Sequence, residues 1–459
     1  MLANKSLIKN IIRSILNNKK YFLFLLLISV FSFSLLLCNN SYPKDMKNTI
    51  TNFYKNTNSF DVYLSTNVKF KQSDVKQIKD LKIVKGVSLS KELKVKANIK
   101  NNDYDIKAVS INPKRNLKDD DYINRLTLSS GKYPSTINEG LIDDKLFERN
   151  NLSIGDLVVL TISDNNKLRA KKIKIVGTVK NSLHVDKESK SEKENHYIYL
   201  EENNFTDEYN EMYITLNNDS NYDIYSKEYK ALIKNGKKEI LKVIEPIISD
   251  RKKDSILYLN DELESKKDTL NSLYELTLPE ESLNNDIEKI NNKISNIKKE
   301  INSLENDELY SSVKISSSGF KDYKEEVNST NKFLYAISIL IFVASIFLST
   351  FLMCKIVIED TNENISLKAL GYNTLEINAK YIIFIVLSQV ISFLIIILLL
   401  EKIIPIILWM YYKKIYSIPF IKPNIKIYPV VTLLLVNIAF IILFINVYFV
   451  YRKKYVKNM

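Results

Sequence analysis

Nucleotide hydrolysis would need a glycine-rich loop ending in Lys and Ser or Thr, whose backbone amides cradle phosphates while the hydroxyl holds a metal ion. Two Gly-Lys pairs occur, and neither completes that loop. Gly131-Lys132 is followed by Tyr133, and Gly236-Lys237 lacks both the earlier glycine and the hydroxyl residue. The two histidines, His184 and His196, border a Lys/Glu-rich stretch, Lys180 to Asn195, that reads as a solvated loop, so no metal set is expected. Carboxylates are abundant, but no spacing marks an acid–base pair. The chain is therefore expected to be non-catalytic, with no cofactor and no metal.

The elements that would carry any function are dominated by four apolar segments, Tyr21 to Cys38, Phe333 to Val357, Tyr381 to Leu400 and Tyr428 to Val450. Each reaches the roughly 20 residues that cross a ~30 Å hydrocarbon core. The first ends in LLLC, like a lipidation signal, but Leu37 stands where a small residue is wanted, so a retained anchor is favoured over a cleaved signal. Before it, Leu7, Ile8, Ile11, Ile12, Ile15 and Leu16 recur at helical spacing between Lys5, Lys9 and Arg13, which predicts an amphipathic helix on the inner membrane face. Basic residues at both ends, Lys19 and Lys20 before the first span and Arg452, Lys453, Lys454 and Lys457 after the last, place both termini in the cytoplasm. Lys402, Lys413, Lys414, Lys422 and Lys426 in the short outer loop run against that rule, and the even number of spans outweighs them. Cys38 and Cys354 then lie at opposite membrane depths, too far apart for a disulfide.

The net charge of +13 does not indicate nucleic acid, because residues 39–332 are nearly balanced, with 49 Lys and Arg against 48 Asp and Glu. The excess sits beside the membrane. Within that long middle region, Ser73 to Leu81 has helical apolar spacing, while Leu93 to Ile99, Leu157 to Ile162 and Ile173 to Val179 read as strands, with Gly177 a candidate bulge. Gly131 and Pro134 make a turn, Glu139-Gly140 another, Asp143 or Asp144 caps a short helix, and Gly155-Asp156 turns the chain into the next strand. From Arg251 to Glu308 the pattern becomes heptads. Ile256, Leu259, Leu263, Leu270 and Leu273 form one seam, and Leu283, Ile287, Ile290, Ile294, Ile297, Ile301 and Leu304 form a cleaner one beyond Pro279. An antiparallel hairpin is the simplest fold for these arms. A parallel coiled coil between subunits is the alternative.

The polar turn between the second and third apolar segments runs Glu359 to Ile377. Its core Leu367-Lys368-Ala369-Leu370-Gly371-Tyr372, followed by Ile377, resembles the loop after the second transmembrane helix of FtsX-like ABC transporter permeases, which include the MacB type. That family usually carries a Gly two residues before the first Leu, where this chain has Ile365. The GKYP, NEG, helix, L-x-x-G-D and IVGTV succession from Gly131 through Gly140, Gly155, Asp156 and Gly177 is similar to the periplasmic-core ectodomain of MacB-type permeases. The chain resembles one half of the large Gram-positive FtsX-like plan.

The resemblance implies an α/β membrane protein. Its parts would be a cytoplasmic amphipathic helix (1–20), transmembrane helices at 21–38, 333–357, 381–400 and 428–450, an extracellular mixed α/β domain (39–250), a coiled-coil hairpin (251–310), a stalk (311–332), a cytoplasmic coupling loop (358–380), an outer interfacial loop (401–427) and a cytoplasmic tail (451–459). It further implies an ABC ATPase subunit as partner, a second permease copy or sister permease, and movement of the extracellular domain by mechanotransmission. Cargo would be a peptide, antibiotic or lipid, with an extracellular client as another target, in a bacterial plasma membrane. A membrane-anchored sensor or scaffold without ATPase, or a regulator of an extracellular cell-wall enzyme, are the competing readings.

Overall fold

The computed structural model describes residues 12–13, 15–113, 118–162, 167–183, 185, 196–274 and 280–402. His184, Pro279, the start of the N-terminal helix, the outer loop from 403, the fourth apolar segment and the tail lie outside the described residues. The helices are α1 (Lys19–Asn56), α2 (Gln72–Lys79), α3 (Asp144–Arg149), α4 (Lys227–Tyr274), α5 (Glu280–Glu305), α6 (Ser318–Glu359), α7 (Thr361–Ala369) and α8 (Thr374–Lys402). The chain forms two compact units. Among the described residues, one takes those up to Ile50 with 324–402, and the other is Thr51–Tyr323.

In the first unit, Gly319–Glu359 and Ala379–Ile396 are long and apolar enough to cross a membrane. The first apolar segment lies within α1, which continues past the expected end at Cys38, through Pro43, to Asn56. Proline inside a helix costs about 3 kcal/mol. The continuation is offset by burial of Met46, Ile50, Phe53 and Tyr54, spaced so that they share one face. Short polar side chains join the helices. Ser345 Oγ donates to Ser32 Oγ at 3.1 Å, Gln389 Nε2 to Ser29 Oγ at 2.8 Å, and Ser392 Oγ to the Leu26 carbonyl at 3.2 Å. In an apolar surround such bonds contribute about 0.6 kcal/mol each.

The second unit contains eleven described strands: β1 (Val62–Phe70), β2 (Val84–Ser90), β3 (Glu92–Ile99), β4 (Asn102–Ile111), β5 (Thr127–Gly131), β6 (Glu139–Asp143), β7 (Leu157–Thr161), β8 (Lys172–Lys180), β9 (His196–Glu201), β10 (Tyr209–Leu216) and β11 (Tyr310–Val313). One antiparallel sheet has the order β11-β1-β10-β2. Its edge strand β11 comes from the beginning of the expected stalk, so that segment begins as part of a sheet.

The other sheet runs β5-β8-β6-β9-β4-β3-β7, and β7 pairs again with β8. Strand β8 offers Lys172–Lys174 to β7 and Gly177–Lys180 to β5, while β6 runs parallel along its other edge. Six strands therefore close into a ring. Alternation directs Val95, Ala97, Ile99, Ile106, Ala108, Val158, Leu160, Ile173 and Ile175 into one buried cluster. The β3–β4 hairpin turns through Lys100 and Asn101, with φ of 47° and 70°, the two positive values that a two-residue hairpin turn requires.

Helix α4 starts well before the heptads, at Lys227, and α5 runs back along it. Lys252 Nζ donates to the carbonyls of Glu305 at 2.9 Å and Asp307 at 2.7 Å. Leu259, Leu263, Ile294, Ile297, Ile301 and Leu304 are buried, whereas Ile256, Leu270, Leu273, Ile287 and Ile290 are half-buried. The seam is therefore tightest toward the sheets.

Candidate functional site

Between α6 and α8 the chain forms a corner made of α7 and a four-residue turn, Leu370 to Asn373. Gly371 N donates to the Lys368 carbonyl at 3.0 Å and Tyr372 N to the Leu367 carbonyl at 3.2 Å. This pair of bonds satisfies carbonyls at the helix end and requires a left-handed residue, supplied by Gly371 at φ +89°. Leu367 and Tyr372, which flank the stop, both pack on the cluster of Leu25, Met353, Ile356, Val357, Ile377 and Tyr381. Helix α8 then begins at once, with Glu376 Oε2 accepting from Asn373 N at 2.9 Å. The LKALGY motif is thus a helix stop with its own apolar clasp.

Beneath the corner lies a polar network. Lys380, 5% exposed, places Nζ 3.0 Å from Asp360 Oδ2 and 3.5 Å from Glu363 Oε1, as ion pairs rather than aligned hydrogen bonds. Tyr381 Oη donates to Asp360 Oδ2 at 3.1 Å and accepts from Asn364 Nδ2 at 2.7 Å. Glu359, at the end of α6, accepts from Tyr21 Oη at 3.1 Å. These contacts tie α1, α6, α7 and α8 together at one end of the unit.

The residues expected in the coupling loop therefore divide. Leu367, Tyr372 and Ile377 face the core, and Glu359 is tied to Tyr21. Ile365, Lys368, Ala369 and Leu370 face outward, with Leu370 75% and Ile365 51% exposed. Ile365 stands inside α7, where helical backbone makes no demand for glycine. Asp360, Glu363, Asn364, Lys380 and Tyr381 were missed by sequence reasoning. The signal that could have found them is Lys380, an ionisable residue at the very edge of an apolar run.

The ectodomain motif residues converge on strand β8. A side chain at Gly131 (φ +80°) would meet the Val176 carbonyl, and one at Gly177 would lie 2.7 Å from the Ser130 carbonyl. One at Gly140 would lie 2.8 Å from Ile173. The bulge is formed by Val176, the residue skipped between Ile175 and Gly177 in the pairing with β6, and Gly177 serves close approach instead. Pro134 is buried, Glu139 accepts from Ser135 N and Oγ at 2.8 Å, and these bonds hold its carboxyl below the usual range. Gly155 (φ +109°) donates to the Ile175 carbonyl at 2.8 Å, and Asp156 accepts from Ser153 N at 2.9 Å. Asp143, not Asp144, caps α3, accepting from Leu146 N at 2.8 Å. These residues build the ring and present no reactive group.

No protein-family model matches the chain, and no curated protein matches it. Among solved structures, it is similar to the extracellular domain of the noncanonic ABC-type transporter YknZ from Gram-positive bacteria, at 17% identity over 40% of this chain and 91% of that one, with a TM-score of 0.25. It is also similar to the periplasmic region of MacB from Actinobacillus actinomycetemcomitans, at 10% identity over 44% of this chain and 89% of that one, with a TM-score of 0.26. These superpositions define no activity for this chain.

Proposed function

We propose that the chain is the membrane subunit of an ABC transporter of the FtsX/MacB type, in which a separate ATPase docks on the α6–α8 corner and moves the Thr51–Tyr323 unit without nucleotide chemistry in this chain. The observation that supports this reading is the exposure of Leu370 and Ile365 on a corner that Gly371, Leu367 and the buried Lys380 hold in one geometry. An exposed apolar tip on a stiff base suits a partner's groove, because little ordering entropy is lost on docking. The basic termini favour a cytoplasmic position for this corner. In this scheme a dimer of permease chains sits in a bacterial plasma membrane, the α4–α5 pair serves as a lever, and the cargo is a peptide, antibiotic or lipid moved by export or extraction.

The test is purification of the tagged chain from its native membrane in mild detergent, followed by mass spectrometry. An ABC ATPase recovered in near-equal amount is expected, and Leu370→Asp should lose it while leaving insertion intact, because an unpaired charge at a buried contact is costly. Recovery of a kinase or of no ATPase would replace this reading with a membrane-anchored sensor or scaffold.

A further inference from the structure

On the outer face of the ring, strand β7 turns two apolar side chains to solvent. Leu157 is 65% and Val159 40% exposed, while their alternate neighbours Val158 and Leu160 lie in the buried cluster. A strand that closes a ring needs only its inner face apolar, so folding does not account for this pair. The flanking strands frame it with lysines. In the pairing with β8, Leu157 stands opposite Lys174 and Val159 opposite Lys172, and in the pairing with β3, Thr161 stands opposite Lys96. Directly opposed residues share a face, with Cβ atoms about 5 Å apart. All three lysines are exposed, and none forms an ion pair among the described residues. Two acids stand near them: Asp105 opposes Lys96 from β4, and Glu139, opposite Lys174 on β6, is held by Ser135.

The same unit carries a complement to this face. Helix α4 turns Leu257, Asp261, Glu264 and Asp268 outward at spacings of four, three and four, which sets them in one stripe opposite the seam of Leu259 and Leu263. Tyr258 flanks the stripe on one side and Lys267 on the other. Leu257 and Tyr258 are 64% and 69% exposed, and none of the three carboxylates forms an ion pair among the described residues. The sheet face thus offers an apolar pair with three cations, and the helix an apolar pair with three anions. Both are open to solvent within one chain, so they do not meet there.

We infer that two copies of this chain associate through their outer units, the lysine-framed β7 face of one receiving the Leu257 to Asp268 stripe of α4 from the other. A helix laid on a sheet is an ordinary layer arrangement. Leu157 and Val159 lose water against Leu257 and Tyr258 at the centre, while the charges around them steer the encounter and fix its register. Exposed ion pairs alone contribute little, so the apolar centre carries the affinity. Each copy owns both faces, and a two-fold pair therefore makes the contact twice. This contact assigns an outer interface to the dimer of the proposed function, and it stands whether or not an ATPase docks.

The test uses the full chain in mild detergent, co-expressed as two differently tagged copies in a Cys38→Ser, Cys354→Ser background. With Val159→Cys in one copy and Tyr258→Cys in the other, a short bis-maleimide should join the two tags. Lys172→Glu with Lys174→Glu in both copies should cut the yield roughly fivefold or more, as should Asp261→Lys with Glu264→Lys in both. The lysine reversal in the Val159→Cys copy and the acid reversal in the Tyr258→Cys copy should together restore it, because reversed faces then meet each other and so do the native ones. Restoration also shows that the reversed chains fold. No joining in the starting pair, a yield unchanged by the reversals, or no restoration would overturn the inference. Recovery of an ATPase from the same preparation tests the proposed function separately, so either can fail alone.

Discussion

Asp61 and Lys314, 253 residues apart in sequence, form a buried ion pair at 3.0 Å. Asp61 follows α1 by a short turn and Lys314 directly precedes α6. Tyr229 of α4 also donates to Asp61 at 2.5 Å, Leu216 N at 2.8 Å, and the Lys314 ammonium lies over the Tyr54 ring at 5.3 Å. One carboxylate thus joins the ends of two long helices to the first turn of α4. Removing one partner of such a pair leaves an uncompensated buried charge at a cost of about 3–5 kcal/mol. Lys314→Met should therefore destabilise the unit strongly in urea unfolding, and adding Asp61→Asn should restore part of the loss.

Arg251 of α4 grips Asp74 of α2 through two guanidinium nitrogens at 2.7 and 2.8 Å. Burial alone would raise the Asp74 carboxyl, but the Arg251 bonds, with Lys71 N at 2.8 Å, outweigh it and hold the group below the usual carboxylate range. A depressed folded-state value contributes stability above the unfolded value of about 3.9, lost as pH falls through the folded value. Unfolding followed from pH 6 down to pH 2 should show that acid loss, and Arg251→Lys, which cannot form the planar fork, should make it smaller, because the folded-state value then lies closer to the unfolded one.

Glu211, raised by burial and then by the charge of Glu92, gives the opposite sign. Its folded-state value of about 8 lies above the unfolded value of about 4.3, so the folded chain holds an extra proton between them and stability falls as pH rises through that window. Glu211→Gln should flatten this slope and make the protein more stable at pH 8 than the parent. A thermal melt series from pH 5 to pH 9 measures it.

Two glycines should respond differently to Ala. At Gly371 a methyl group meets nothing within 4 Å, so the cost is the backbone strain of φ +89° alone, about 1 kcal/mol. At Gly177 the methyl would lie 2.7 Å from one carbonyl and 2.9 Å from another, and β5 must move away. Hydrogen exchange should show Gly371→Ala loosening only the corner and Gly177→Ala opening the β5–β8 pairing.

The local elements were legible where the pattern is short-range. Alternation found β3, β7 and β8 and apolar spacing found α2, whereas the LKALG run was read only as part of a polar turn, in which the structure ends α7 at Gly371. The reach of α1 beyond Pro43 was hidden, because its first half is a continuous apolar run and its second half buries a face on which polar Asp45 and Thr49 stand beside Met46, Ile50, Phe53 and Tyr54. The ring closure at β8 was hidden as well, since one edge of the strand is shared between two partners, β5 and β7, that both precede it in sequence. At the corner, the outward Leu370 could be named, but the Asp360–Lys380 pair joins charges with no periodic relation between them.

Strand β11 pairs with β1 across almost the whole length of the second unit. A nascent chain must therefore carry β1 without that neighbour until residue 313 has been made, immediately before α6 begins. Completion of this sheet and emergence of the next long apolar helix fall at the same moment of synthesis. A ribosome paused upstream of Tyr310 would hold an exposed strand edge, the template for pairing with the wrong chain.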